Sequence, residues 1–179
     1  ARQRYDALAG ALTAKRAAAA ETLARRVTAT MKDLAMAGGR FDAVLEPTAE
    51  PAAFGRENVV FRIATHPKQA PGPLSRVASG GELSRVALAI QVAASEVGDV
   101  PTLVFDEVDT GIGGAVAATV GRMLQTLGER RQVLCVTHLP QVAARGDHHF
   151  QVAKSSKGKN GTVSTVTSLD KTSRIEEVA

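Results

Sequence analysis

The sequence predicts an α/β domain with a mostly parallel sheet, preceded by a long helix. Two short apolar runs, 102–105 and 132–137, suit strands that are buried on both faces, as in a parallel sheet. A helical pattern over 115–127 separates them, and parallel strands need such a crossover connection. Residues 1–37 are rich in Ala, Arg, Lys and Leu and contain no Gly or Pro from Ala11 onward, which predicts the long helix.

The first helix carries one apolar stripe that recurs at helical spacing. Its members are Leu8, Leu12, Ala19, Leu23, Val27, Met31 and Leu34. The stripe is thin and alanine-rich, which suits close packing on one partner helix. An amphipathic helix that flanks a globular core would give the same pattern, so both interpretations stay open. Gly38 and Gly39 are expected to end the helix.

The segments on either side of the parallel strands predict antiparallel pairs. Runs 41–45 and 58–63 read as strands, and 46–51 with Gly55 reads as the turn-rich connection between them. A loop over 66–73 comes next, in which His66 has no ligand-spaced partner. Runs 148–154 and 162–169 predict a β-hairpin with its tip at 154–161, where Asn-Gly is a strong turn signal. His148 and His149 point to opposite faces of such a strand, which argues against a shared metal ion.

A Ser-Gly-Gly-Glu turn stands directly before a helix with an apolar face. Ser79 is a good N-cap residue, and Glu82 completes a capping-box pattern. The unpaired N–H groups of a helix N-terminus can bind phosphate, and Gly80 and Gly81 would let a ligand approach the backbone. By itself the pattern is more typical of a simple capped helix, so the phosphate interpretation depends on the residues further along the chain.

Two adjacent carboxylates, Asp106 and Glu107, stand directly after the first parallel strand. Ligands of open α/β sheets bind beyond the carboxyl ends of strands. Asp106 is the candidate Mg²⁺ ligand, directly or through water, and Glu107 is the candidate base that polarises an attacking water. His138 stands after the second strand in the same way and is expected at the same sheet edge. Solvated acids and a structural histidine are the alternatives.

The order of these elements resembles the C-terminal half of an ATP-binding-cassette (ABC) ATPase head. The resemblance implies that Ser79, Gly80, Gly81 and Glu82 form the signature motif, which contacts the γ-phosphate of ATP held by the opposite head. It implies that Asp106 and Glu107 are the Walker B aspartate and the catalytic glutamate. Asp109 would lie in the D-loop, and His138 would be the switch histidine. The implied cofactors are ATP and Mg²⁺.

Three longer segments resemble one subgroup, the RecN family of SMC-like bacterial DNA-repair ATPases (SMC, structural maintenance of chromosomes). They are Val-Ala-Ser-Gly-Gly-Glu-Leu-Ser-Arg at 77–85, Phe-Asp-Glu-Val-Asp-Thr-Gly-Ile-Gly-Gly at 105–114 and Val-Thr-His-Leu-Pro-Gln-Val-Ala at 136–143. The resemblance runs from about Phe41 to the last residue. It implies a homodimer through ATP-sandwiched heads, sequence-independent DNA contact and a cytoplasmic, nucleoid-associated protein.

One motif of such ATPases is absent from the 179 residues. No Gly-x-x-x-x-Gly-Lys-Ser/Thr occurs, and Gly158-Lys159 is followed by Asn160. Without this Walker A loop nothing cradles the β-phosphate, so the chain alone is expected neither to bind ATP tightly nor to hydrolyse it. The resemblance implies that an N-terminal lobe carries Walker A, and that 1–37 is the end of a coiled-coil arm while 38–179 is the C-terminal head lobe.

The amino-acid composition agrees with a DNA-binding ATPase lobe but excludes few other functions. The formal charge is +4, which fits a phosphate-backbone partner, although solvated surface lysines explain much of it. With five Phe, one Tyr and no Trp there is no aromatic stacking platform, so DNA contact would be electrostatic. Cys135 cannot form an internal disulfide. No apolar run is long enough to span a bilayer, so no membrane partner is expected.

Several function classes remain open at this point. The favoured one is an ATP-dependent DNA double-strand-break repair and recombination protein, in which hydrolysis separates the heads. The alternatives are the nucleotide-binding subunit of an ABC transporter, another SMC-like chromosome ATPase, and a pure interaction module. Three features argue against a transporter subunit: Glu82 stands where transporters commonly have glutamine, a long helix lies upstream, and the sequence around His138 resembles RecN.

Overall fold

The first helix, α1, is long and ends earlier than the glycine pair suggests. The computed structural model describes residues 1–77, 79–95, 100–156 and 162–179. Helix α1 spans Arg2–Asp33 and is closed by Leu34, whose N–H donates to the carbonyl of Met31. Ala35 comes next with a φ of 60°, so the chain turns there, and Gly38, with a φ of 82°, belongs to the connection. The predicted end at Gly38-Gly39 is therefore wrong, because a non-glycine residue takes the left-handed conformation first.

Only the C-terminal part of the predicted stripe on α1 enters the core. Val27, Met31 and Leu34 are fully buried, whereas Leu8 is 63% exposed. The N-terminal part is held by polar contacts instead. Tyr5 donates its hydroxyl to the carbonyls of Ala52 and Gly55, at 3.1 and 2.9 Å. The C-terminal end of α1 therefore packs in the core of the domain, and its N-terminal part contacts a β-hairpin that contains Ala52 and Gly55.

This hairpin is longer than the sequence predicts. Strands β1 (Arg40–Ala52) and β2 (Gly55–Ala64) are antiparallel, and the pairing continues through Glu46↔Asn58 and Pro47↔Glu57 to Ala52↔Gly55. The predicted connection over 46–51 is therefore wrong, and the turn lies at residues 53 and 54. The prolines are tolerated because β1 is an edge strand of the order β1-β2-β3, and the register shifts between Pro47 and Ala52.

A short strand and a 3-10 turn lead from the hairpin to the Ser-Gly-Gly-Glu turn. Strand β3 (Gly72–Pro73) pairs with β2, and the turn covers Leu74–Arg76. Helix α2 then spans Gly80–Ala93. Its buried apolar residues join those of α1 and the sheet in one core, namely Val86, Leu88, Ala89 and Ala93. These contacts place the N-terminus of α2 at the surface and its body inside the domain.

The central β-α-β unit has the predicted parallel geometry. Strand β4 (Thr102–Phe105) pairs with β5 (Gln132–Cys135) in parallel, with Phe105 opposite Cys135, and α3 (Gly114–Gly128) connects them. The α/β class with a parallel sheet is therefore confirmed. The predicted burial of both sheet faces is wrong for the described residues. Val104 is 68% exposed and Val136 62%, because nothing in the described chain covers that face.

The C-terminal part contains a short helix, a hairpin and a last helix. Helix α4 (Pro140–Ala143) lies just after His138, and β6 (Phe150–Ser156) pairs with β7 (Thr162–Ser168) as predicted. The predicted tip at 154–161 is wrong for 154–156, because these residues pair with 162–164 in the hairpin, and 157–161 lie outside the described residues. Helix α5 (Lys171–Val178) was not predicted. Its Arg174 donates to the carbonyls of Ala143, Ala144 and Gly146, which docks α5 on the end of α4.

Candidate functional site

The Ser-Gly-Gly-Glu turn forms the capped helix start that the sequence predicts. Ser79 is extended, with φ −127° and ψ 133°, and its hydroxyl accepts from the N–H of Glu82 at 3.5 Å. The Glu82 carboxylate lies 3.8 Å from Nε2 of the exposed His66. Ser79 and Gly80 are exposed and Gly81 is buried. The helix therefore begins at the surface at Ser79 and Gly80, where the helix dipole favours an anion, while the N–H of Glu82 is already paired with Ser79.

The acidic segment after β4 is a tight turn with one strained residue. Asp106 is exposed, and its Oδ1 accepts from the N–H of Glu107 at 2.9 Å. Glu107 has a φ of 56°, which a non-glycine residue adopts only when its surroundings impose it. The N–H of Thr110 closes the turn on the carbonyl of Glu107 at 3.1 Å. Such strain is concentrated at functional sites, which supports a role for Glu107.

The Ser-Gly-Gly-Glu turn and this acidic segment are in contact within the same chain. A Cβ on Gly80 would overlap Oε2 of Glu107. A Cβ on Gly81 would lie 2.9 Å from Cβ and 3.0 Å from the carbonyl oxygen of Thr110. The contact at Gly80 involves the mobile end of a side chain, whereas the one at Gly81 involves backbone. Gly81 is thus needed for packing inside this chain, whatever ligand it approaches.

Arg85 reinforces this contact and is a residue that the sequence motifs did not single out. Its Nη1 donates to the carbonyl of Thr110 at 2.7 Å, and the residue is only 6% exposed. Burial lowers the pKa of the Arg85 guanidinium, and the charge of Glu82 opposes that effect. A signal was present, because Arg85 stands four residues after Gly81 and therefore lies on the same helix face.

Asp109 joins the acidic segment to the histidine loop. It is 1% exposed, and its Oδ2 accepts from the hydroxyl of Thr137 and from the N–H of His138 at 3.1 Å. Nδ1 of His138 lies 3.5 Å from the same oxygen. The Thr137 hydroxyl also accepts from the N–H of Leu139 at 3.1 Å. The buried carboxylate therefore sets the backbone path of the residues around His138, and Thr137 is a second residue that the sequence motifs did not single out.

Helix α4, which follows His138 in the chain, packs closely on α3. A Cβ on Gly121 would lie 2.9 Å from Cγ of Arg145 and 3.0 Å from the carbonyl oxygen of Gln141. Pro140 begins α4, where a missing N–H costs nothing. The imidazole itself faces outward, since the His138 side chain is 68% exposed.

The predicted site residues are therefore connected: Gly81 and Asp109 are buried, and the others lie at an open surface above them. Ser79, Gly80, Gly81 and Glu82 stand against the turn of Asp106 and Glu107, and Asp109 connects that turn to His138. These residues line neither of two cavities of about 490 and 600 Å³ elsewhere in the described chain. Such an open arrangement fits half of a site better than a complete pocket.

The donor set fits the implied Mg²⁺ only in part. Asp106 presents an exposed carboxylate, and Mg²⁺ is commonly held by one or two carboxylates together with phosphate oxygens. Within the described residues, no three His, Cys, Asp or Glu side chains cluster as ligands of one ion would. Asp106 can therefore supply one ligand to a metal that comes with a nucleotide, and the remaining ligands would be phosphate and water.

This arrangement of a long helix, a helix capped by Ser79 and a β-α-β unit has the fold of part of an SMC head domain. The Smc head domain with a coiled coil from Pyrococcus yayanosii superposes with a TM-score of 0.63 and 22% identity, over 88% of this chain and 28% of that one. A structure titled for ATP-driven dimerization and DNA-stimulated activation of SMC ATPases gives 0.53, over 88% and 90%. The chain matches no protein-family model.

Sequence comparison identifies the relatives within this class. The chain is homologous to the DNA repair protein RecN over nearly its whole length. It is 51% identical to RecN of Xylella fastidiosa over 94% of the chain and 46% identical to RecN of Haemophilus influenzae over 99%. It spans 30% and 32% of those two proteins. The predicted resemblance to RecN is confirmed.

Proposed function

We propose that this chain is the C-terminal lobe of an ATPase head in a DNA-repair protein that acts on double-strand breaks. One observation carries the proposal. Parallel pairing of β4 and β5 brings their carboxyl ends to one edge, so that Asp106 and Glu107 lie beside Thr137 and His138. The signature turn of the same chain packs against Glu107 at that edge. Residues suited to phosphate binding, metal binding and water activation thus share one surface.

The proposed roles depend on the position of each side chain. The N–H groups and hydroxyl at Ser79, Gly80 and Gly81 would bind the γ-phosphate of ATP held by a second head, and Glu82 would cap that helix. Asp106 would bind Mg²⁺, directly or through water. Bound Mg²⁺ would supply charge neutralisation on the phosphates. Glu107 would accept a proton from the attacking water, and His138, positioned by Asp109, would contact the γ-phosphate.

The open face of the parallel sheet supports an N-terminal lobe as partner. Val104 and Val136 are exposed on it together with Leu134, and apolar patches of this kind mark interaction surfaces. We propose that a lobe carrying Walker A covers this face, and that residues 38–179 form the complementary lobe. The chain alone would then lack the loop that cradles the β-phosphate and would not hydrolyse ATP. A separate lobe is compatible with the length comparison, because the chain spans only 30% of the RecN protein of Xylella fastidiosa.

Helix α1 is the proposed foot of a coiled-coil arm and part of a DNA-contacting surface. Its exposed basic residues are Arg2, Arg4, Lys15, Arg25, Arg26 and Lys32. Contacts from such side chains to phosphates are electrostatic and independent of sequence. The SMC ATPases of the structure with a TM-score of 0.53 are described as activated by DNA. A homodimer of heads that closes on ATP and opens after hydrolysis would couple this surface to the nucleotide.

The test uses the full-length protein and the variant Glu107→Gln. This variant keeps the shape of the side chain but loses the base, so ATP turnover is expected to fall by about 100-fold or more. ATP-dependent pairing of heads, measured by light scattering, is expected to persist. Glu176→Gln is the matched control, because Glu176 is exposed on α5, away from the site. Wild-type turnover in Glu107→Gln would refute the catalytic role.

A second variant tests the role of the signature in trans. Ser79→Arg places bulk and charge at the N-terminus of α2, where a phosphate of the other head would bind. ATP-induced pairing is expected to be lost, while ATP binding to each head persists. Pairing at the wild-type ATP concentration would contradict the proposed sandwich. Loss of ATP binding in the separate heads would place the nucleotide on the signature of its own chain instead.

A further inference from the structure

We propose that Arg85 is a positioning residue that ties the signature helix to the segment 106–111 within one head. The proposal rests on the proposed function and deepens it. It assigns a role to a residue that touches neither nucleotide nor metal. Arg85 would act through Thr110 on Glu107 and Asp109, two acidic residues that precede this threonine in the same turn.

The contact has three components. Arg85 donates through Nη1 to the carbonyl oxygen of Thr110 at 2.7 Å. The same Nη1 would lie 3.2 Å from a Cβ on Gly81, so the guanidinium passes directly over this glycine. Thr110 in turn packs on Gly81, with its carbonyl oxygen 3.0 Å from that Cβ position. One buried side chain, that of Arg85, therefore connects helix α2 and Gly81 to the segment 106–111.

The chemistry of Arg85 is poorly explained by packing alone. A charged group that is 6% exposed loses most of its hydration, and an apolar residue of similar length would fill the space without this cost. The cost is only partly compensated. Among the described residues, Nε of Arg85 is buried with no hydrogen-bond partner, and Thr110 provides the acceptor that Nη1 uses. A directional bond to the backbone of one specific loop is what a guanidinium adds there.

The position of Thr110 makes this bond relevant to the proposed reaction. The N–H of Thr110 closes the turn on the carbonyl of Glu107, the strained residue with a φ of 56°. Asp109, the preceding residue, holds the N–H of His138. A displacement of Thr110 would therefore move both the base and the histidine loop. Because the signature would contact the nucleotide of the other head, Arg85 would link that contact to Glu107 of its own head.

Two variants of the full-length protein test the link. Arg85→Met keeps an unbranched apolar stem but removes the guanidinium, and with it the donor and the charge. Gly81→Ala keeps Arg85 but places a methyl group 2.9 Å from Cβ of Thr110, which pushes the loop away. Arg122→Met is the matched control, because Arg122 is exposed and donates to Thr119 of its own helix. ATP turnover and amide hydrogen exchange are measured for all of them.

The expected result is local. In Arg85→Met, exchange in the peptide covering 107–112 is expected to accelerate by about tenfold or more, the equivalent of one hydrogen bond to a charged group. Exchange in α3 is expected to stay at the wild-type rate. The kcat is expected to fall by about tenfold or more while KM for ATP stays within about twofold, since nucleotide binding is left intact. Gly81→Ala is expected to accelerate the same peptide, and Arg122→Met to change nothing.

Three results would overturn the proposal. The first is wild-type exchange at 107–112 in Arg85→Met. The second is faster exchange throughout the head in both variants, which would mean a purely structural role. The third is unchanged kcat in both variants. If Arg85→Met does not fold, hydrogen exchange of the 107–112 peptide in Gly81→Ala decides, because the kcat of that variant also depends on the proposed phosphate contact of Gly81. If the wild-type protein does not hydrolyse ATP, the proposed function fails, but hydrogen exchange still reports whether Arg85 holds the loop.

Discussion

Replacing Asp109 by alanine should destabilise the 179-residue chain more than any exposed acid would. Asp109 is 1% exposed and accepts from Thr137 and from the N–H of His138. Each hydrogen bond to a charged group contributes about 1.5–3 kcal/mol. The variant also removes a buried charge, which returns part of that loss. A net decrease of about 2–4 kcal/mol in the free energy of unfolding is therefore expected.

A double-mutant cycle with Thr137→Val makes this prediction more specific. Thr137→Val removes only the hydroxyl, so it should cost about 1–2 kcal/mol by itself. In the double variant the two losses should overlap by about 1–2 kcal/mol, because both remove the same bond. Asp109→Asn can still accept through one oxygen and should lose only about 1 kcal/mol. It serves as the isosteric variant if Asp109→Ala does not fold.

Urea unfolding monitored by far-UV circular dichroism measures these free energies. The control is Asp147→Ala, because Asp147 is exposed, and it should change the free energy by no more than about 0.5 kcal/mol. The reasoning would be refuted if Asp109→Ala cost less than about 1 kcal/mol, or if the two losses added within about 0.3 kcal/mol. In either case the buried carboxylate would not hold the histidine loop.

Three further predictions concern other parts of the chain. Gly121→Ala should destabilise by about 1–3 kcal/mol because its Cβ would meet α4, whereas Gly128→Ala, with open space around it, should be near neutral in the same urea assay. Val104→Lys with Val136→Lys should leave the unfolding of the chain nearly unchanged but abolish its co-purification with a co-expressed N-terminal lobe, and retained binding would contradict a lobe on this face. Burial, and then the charges of Asp109 and Asp106, raise the pKa of Cys135 to about 12 from 9.0. Cys135 in the folded chain should therefore react with iodoacetamide about 100-fold or more slowly than in the chain unfolded by urea, and equal alkylation rates would contradict the raised pKa. The protonated thiol should contribute its full stabilisation below pH 9, and that contribution should disappear as the pH rises toward the pKa of the folded state.

Local patterns were sufficient for the types of most elements. The sequence predicted the cap at Ser79, a strand at 102–105, a second strand at 132–137 that the structure ends at Cys135, their parallel connection and the β6–β7 hairpin. Each depends on a hydrophobic period or a capping residue that is visible within a few residues. The lengths of α1 and β1 were not predicted correctly. Both depend on pairing and turns: the helix is closed by Leu34 and the chain turns at Ala35, and prolines remain in an edge strand.

The sequence by itself determined which residues could act on a phosphate, because motif order and spacing depend only on the chain. Only the tertiary structure decided how they are joined. It placed Glu107 against Gly80, buried Asp109 beneath the backbone of His138 and set Arg85 across to Thr110. It also left one face of the parallel sheet open. Contacts between residues 25 or more positions apart depend on how whole elements pack, and no local pattern encodes that packing.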